Sequence, residues 1–325
     1  MAWTRRGTLL AAAAATAAGT ARAQAPWPER PVRIIVPFPP GQAADILTRL
    51  VADELSKVWP QRAFVENRGG GAGAPALEAA ARAAADGYTL VAGTSGTMGV
   101  NPSVLPRIPY DAERDFAFIS NIAMVPLLLV AHPSFPGRTA QDVVALAKAK
   151  PGVVNLATAG PATSQHMAAE LFAYRTGIQL NMVHYRGSGP GIADLLSGNV
   201  TLMMDSVASA LPHIRSGAVI PVAVTTPERT PQLPEVPTIG EAASPGYAAY
   251  GWTGLAGPAG MPPEIVRKIN ADVGAILRQP AVAARFIELG TTANPSTPEE
   301  FGAFVRREIA LWREVARVAN VRLEG

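Results

Sequence analysis

Cysteine is absent from the 325 residues. That removes disulfides, thiolate nucleophiles, iron–sulfur clusters and Cys-ligated zinc at once. Charge is sparse as well: 16% of residues are Asp, Glu, Lys or Arg against 48% hydrophobic, a balance that excludes a disordered chain. The formal net charge is +3, and its location matters. Arg5, Arg6 and Arg22 lie in the first 23 residues, which carry no acid, so the remainder balances 25 basic against 25 acidic residues. A neutral body lacks the clustered basic face of a nucleic-acid-binding protein. No apolar run reaches the length of a membrane helix. His132, His166, His184 and His213 show no metal-ligand spacing. Ser95 and Ser188 stand outside any G-x-S-x-G context, so a nucleophile elbow is missing. Gly69 to Ala74 fits G-x-G-x-x-A, but the acid that should hold a ribose about 20 residues onward is missing, Asp86 being too early and Asp111 too late.

What is present begins with a leader. Arg5 and Arg6 form a basic start, Leu9 to Ala18 a short apolar run, and Ala21-Arg22-Ala23 supplies small residues at the −3 and −1 positions. Residues 1–23 are therefore expected to be a signal peptide, with the mature chain starting at Gln24 in the periplasm. A general secretory route and a twin-arginine route both fit.

With 30 glycines and 30 prolines the chain is heavily punctuated. Val32–Val36 reads as a strand, Pro37–Gly41 as a turn, and Ile46, Leu47, Leu50, Val51, Leu55 and Val58 as one face of a helix. The pattern recurs at Phe64-Val65, at Tyr88–Ala92, at Val153–Ala157 and at Val200–Met204, with a further strand at Val219–Thr225. Alternating strands and helices imply an α/β protein with mainly parallel sheets. Val125–Val130 and Tyr250–Gly257 do not fit one continuous sheet and are read as crossovers between two lobes. Helices are expected at Pro263–Leu277, Ala281–Leu289 and Pro298 to about Ala319, the last capped by Thr297.

Three Gly-bearing turns stand where strands give way to helices: Pro37–Asp45, Gly93–Thr97 and Thr158–His166. Open α/β sheets bind ligands there, and a helix start offers free N–H donors to an anion. Each turn alone is equally a chain reversal capped by Ser or Thr. Their recurrence in both halves of the chain is what points to a carboxylate gripped across a cleft. His166 is either part of that site or a partly buried surface histidine. Asp205 is either a strand-end cap or a cleft carboxylate accepting from a ligand ammonium.

The run Val36-Pro37-Phe38-Pro39-Pro40-Gly41 with Asp45 resembles the opening motif of the Bug (TctC-type) solute-binding proteins of tripartite tricarboxylate transporters. So do Val65-Glu66-Asn67-Arg68, Asp86–Leu90, Thr163–Ala168, Tyr185–Pro190 and Ala256–Gly260, and the likeness runs in order along essentially the whole mature chain. The resemblance implies a two-lobed periplasmic binding protein of Venus-flytrap type. Each lobe would be a mainly parallel sheet flanked by helices, joined by two crossover strands. Residues 24–124 and 254–325 would form lobe I and residues 125–253 lobe II. The implied ligand contacts are Phe38, Gly41, Gln42 and Asp45, then Thr94, Ser95 and Thr97, then Gly160, Thr163, Ser164 and His166, with Asp205. The implied partners are a small carboxylate and membrane transporter subunits. No catalytic residue, metal, cofactor or nucleic acid is expected, and the chain is expected to be a monomer. The family pattern usually carries glycine where this chain has Gln42, and often where it has Ala162. An exported enzyme acting on a carboxylate and a ligand sensor docking on a signalling partner are the competing readings.

Overall fold

The computed structural model describes residues 27–318 and 321, so the leader reading lies outside the described residues. The first half of the fold opens with β1 (Val32–Val36), α1 (Ala43–Val58), β2 (Ala63–Asn67), α2 (Ala74–Ala81) and β3 (Thr89–Thr94). A π-helical turn over Ser95–Val100 and the short α3 (Asn101–Val104) follow. β1 lies between β2 and β3, parallel to both. Its VRIIV sequence suits that central place, since a strand covered on both faces needs a near-continuous apolar run.

β4 (Phe116–Ala131) then runs for 16 residues and belongs to both halves of the molecule. Beyond it come α4 (Ala140–Ala149), β5 (Asn155–Thr158), α5 (Ser164–Thr176), β6 (Asn181–His184), α6 (Ser188–Ser197), β7 (Leu202–Ser206), α7 (Val207–Arg215), β8 (Ile220–Val224) and α8 (Ile239–Ala242). β5 is parallel to β6 and β7, while β7 and β8 both pair antiparallel with the Leu127–Ala131 end of β4. The chain returns through β9 (Tyr250–Pro258) to α9 (Pro263–Leu277), α10 (Pro280–Glu288), β10 (Thr292–Ala293) and α11 (Pro298–Val318). β9 lies antiparallel between β3 and the Phe116–Pro126 part of β4.

The strand order is thus β2-β1-β3-β9-β4-β7-β5-β6, with β8 and β10 also on β4. Val125–Val130 is a crossover between the two halves, as expected, but it does not interrupt the sheet. That stretch is the second half of one long strand through which the two half-sheets are continuous. Polar residues hid the first half: Ser120 and Asn121 are buried, and they bond to Ser296 on the segment before α11. The α11 helix packs through Phe301, Val305, Ile309 and Trp312, and its first turn is closed reciprocally by Thr297 and Glu300. Among the described residues no helix is long and apolar enough to cross a membrane.

Candidate functional site

Helices that follow strands begin at one end of their sheet, and here three such beginnings meet. A narrow cavity is walled by Phe38, Gln42, Ala43 and Ala44 at the start of α1 and by Thr94, Ser95 and Gly96 at the π-helical turn. Thr163, Ser164 and Gln165 at the start of α5 close the opposite side. Val125, Leu127, Gly251, Trp252 and Thr253 of the two crossing strands form its floor. The facing turns approach closely: a Cβ on Gly96 would stand 2.9 Å from the Ala162 carbonyl oxygen.

A helix start leaves N–H groups without intrahelical acceptors. The amides of Ala43 and Ala44, of Ser95 and Gly96, and of Ser164 and Gln165 have no hydrogen-bond partner among the described residues. Three pairs of donors, each backed by the positive end of a helix, therefore border one cavity without a basic side chain in its wall.

The residues singled out from the sequence divide into wall and scaffold. Phe38, Gln42, Thr94, Ser95, Thr163 and Ser164 are in the wall. Gly41, Asp45, Thr97, Gly160, His166 and Asp205 are not among the residues lining it. Asp45 is buried, and Oδ2 accepts from Gly41 N–H at 3.0 Å. Its Oδ1 accepts from Arg49 Nε at 2.9 Å and from Asn67 Nδ2 at 2.8 Å. Asn67 Nδ2 also donates to the Phe38 carbonyl, so the turn is clamped to the end of β2. Gly41 needs its glycine because φ is +87°.

Thr97 closes a reciprocal cap with Thr94: Thr97 N–H donates to Thr94 Oγ1, and Thr94 N–H to Thr97 Oγ1. In the third turn Thr163 Oγ1 accepts from His166 N–H and donates to the Gly160 carbonyl. His166 Nδ1 accepts from Ala162 N–H at 3.2 Å. That fixes the tautomer with the proton on Nε2, which faces Glu170 Oε1 at 3.3 Å. Its ring meets that of His184 edge to face at 4.5 Å. Burial, then the neighbouring His166, push His184 down to about 4. Gly160 borders a second hollow, shared with the Gly69–Gly73 run and Arg186. Asp205 lies behind the wall, bonded to Gln165.

Ala44, Gly96 and Gln165 fall within the turns marked in the sequence but were not singled out there as ligand contacts. The available signal was their place one or two residues after a cap, where main-chain donors are free. Trp252 and Thr253 were readable only as part of a crossover strand. Among the described residues no three His, Asp or Glu side chains cluster as metal ligands.

Residues 47–320 match the model of the tripartite tricarboxylate transporter family receptor. Among solved structures, the Rpa4515 protein of R. palustris with adipate is 35% identical, with a TM-score of 0.89 over 91% of this chain and 99% of that one. The periplasmic binding protein BugD is 30% identical, with a TM-score of 0.87 over 92% of this chain and 100% of that one. MatC of Rhodopseudomonas palustris with bound malate is 32% identical, with a TM-score of 0.84 over 89% of this chain and 99% of that one. The two-lobed α/β fold, the helix-start cavity and this family match agree. The chain belongs to the tripartite tricarboxylate transporter receptors, the Bug (TctC-type) family of periplasmic solute-binding proteins.

Proposed function

We propose that this receptor closes its two lobes on a small carboxylate and delivers it, chemically unchanged, to the membrane subunits of a tripartite tricarboxylate-type transporter. The observation that carries the reading is the set of three unpartnered helix starts around one cavity. Six main-chain donors and three helix dipoles suit an anion, and the neutral wall leaves the ligand's own charge to be met by them. Adipate and malate, held by two structural neighbours, are both dicarboxylates. Phe38, Gln42, Thr94, Ser95, Thr163 and Ser164 remain the side chains assigned to the ligand, joined by Gln165 and by the amides of Ala43, Ala44 and Gly96.

Closure turns on β4 and β9, which cross the cleft floor near Val125–Val130 and Tyr250–Gly257. Lobe I comprises residues 24–124 and 254–325, lobe II residues 125–253, and the chain acts as a monomer in the periplasm after loss of residues 1–23. Thermal-shift screening against a library of carboxylates tests the assignment, because a ligand at a hundred times its Kd adds about 2.7 kcal/mol of stability. Binding should also compact the protein in small-angle scattering if the free form is open. A library in which no acid raises Tm, or an acid that emerges converted, defeats the proposal.

A further inference from the structure

Behind the lobe II wall lies a carboxylate that does not line the cavity. Asp205 ends β7 with no exposed surface. Its Oδ1 accepts from Ser188 Oγ at 2.6 Å, from Ser206 N–H at 2.7 Å and from Gln165 Nε2 at 3.5 Å. Its Oδ2 is buried without a partner, and among the described residues no Lys, Arg or His forms an ion pair with it. Burial raises Asp205 to about 6 while the three bonds pull it back, and with all three donors on Oδ1 that oxygen serves as an acceptor.

A carboxylate oxygen that takes three donors can only accept, and that sets a direction for everything in front of it. The Gln165 amide must turn its NH₂ toward Asp205, which leaves Oε1 pointing the other way. Oε1 in turn can only accept, and it receives the Ser164 hydroxyl at 3.1 Å. Ser164 has one hydroxyl proton, and it is committed. Toward the cavity Ser164 Oγ therefore shows lone pairs alone, beside the free amides of its own helix start. A bare carboxylate oxygen meets no donor at that atom. A hydroxyl on the ligand meets a fixed acceptor.

We infer that Asp205 is a positioning residue whose acceptor oxygen, relayed through Gln165, holds Ser164 as an acceptor, so that the site prefers carboxylates bearing a hydroxyl near the gripped carboxylate over the same acids without it. This deepens the carboxylate reading above and rests on it.

Isothermal titration of paired acids tests it: succinate against malate, and adipate against its hydroxylated counterpart, in neutral buffer. In at least one pair the hydroxy acid binds about five- to tenfold tighter, the worth of one neutral hydrogen bond. In Asp205→Asn the ratio falls toward one, because an asparagine can offer either end of its amide to Gln165 and the polarity of the relay is lost. A purely structural Asp205 predicts instead that both members of a pair weaken together and the ratio stays. If Asp205→Asn fails to fold by circular dichroism, Gln165→Met cuts the relay at similar volume, and the same drop in the ratio is required. Equal binding within both pairs by the native chain overturns the inference, as does a ratio that survives the substitution that folds. Absence of binding by all four acids overturns the carboxylate reading itself, and this inference with it.

Discussion

The turn before α1 and the turn before α5 share one plan and differ in the residues that execute it. In each, the side chain at the third helical position reaches back to the N–H two places before the first. Asp45 takes the Gly41 amide in one, and His166 takes the Ala162 amide in the other. In each, the residue that gives that amide has positive φ, +87° at Gly41 and +56° at Ala162. The hook leaves the next two amides of the helix free to face the cavity. What differs is the chemistry of the hook. Asp45 is a carboxylate answered by Arg49 and Asn67, whereas His166 is an imidazole answered by Glu170 and set edge to face against His184. A conspicuous polar residue beside a helix start can thus serve the donors without touching the ligand.

Removing the two hooks should separate them most. Asp45→Ala leaves the Gly41 amide and Asn67 short of a charged acceptor, while Arg49 is half exposed and stays hydrated, so the loss is that of hydrogen bonds to a charged group, each about 1.5–3 kcal/mol. His166→Ala removes one neutral hydrogen bond and some packing, about 1–3 kcal/mol. Urea denaturation that places the two losses in the opposite order would show that the charged hook is not the stronger one.

The lobe II side carries a pH dependence from Asp205 and His184. Between 3.8 and about 6 the folded chain keeps the Asp205 proton that the unfolded chain releases. Stability therefore falls as pH rises through that window, by about 3 kcal/mol. His184 acts oppositely. Between about 4 and 6.5 the unfolded chain binds a proton that the folded chain refuses, so stability rises with pH. The two trends offset in the native chain, and Asp205→Asn leaves the rise alone. Melting curves from pH 4 to pH 7 check this, and superimposable profiles for the two proteins would refute it.

Ala43→Pro deletes one helix-start amide on the lobe I side. Gln42 already has the extended backbone that a following proline requires, and proline suits the first helical position. Loss of one charge-assisted donor should weaken binding about 10- to 150-fold while Tm holds. Unchanged affinity in titration would take this turn out of the site.

The smallest contrast lies in the two positive-φ residues. Gly41→Ala forces a side chain into the left-handed region and costs about 1–2 kcal/mol. No atom crowds that position, so backbone strain acts alone. Ala162→Gly relieves the same strain but loses a buried methyl worth about 0.8 kcal/mol, and its net effect should be within about 1 kcal/mol of zero. A large Tm loss from Ala162→Gly would mean that its methyl matters more than its backbone angle.

Much of the architecture was legible because apolar runs and punctuation coincide with it. Val32–Val36 and Pro263–Leu277 stand where the sequence puts them. Of the elements that escaped, three show separate reasons. The first half of β4 is interrupted by Ser120 and Asn121, whose burial depends on Ser296, far away in sequence. β6 is four residues long and half covered. α4 carried a readable signal, Thr139 with Asp142 three residues on, that went unread. At the candidate site the three turns were visible, as were the small polar side chains of their walls. Which way Asp45, His166 and Asp205 face was not. That depends on Asn67, Ala162 and Gln165, which the fold brings to them.

Trp252 lies in the cavity floor, and its indole N–H donates to Glu308 on α11 at 2.8 Å. Trp312 donates to the same oxygen at 3.1 Å. The sequence has five tryptophans, and Trp27 and Trp59 meet edge to face at 4.8 Å. Only Trp252 among the described tryptophans borders the cleft. The protein therefore carries its own optical gauge of occupancy. Whatever displaces water from that floor alters the polarity around one indole and shifts its emission. Glu308 ties this fluorophore to α11, so the colour of the emitted light reports on the cleft and on the helix behind it together.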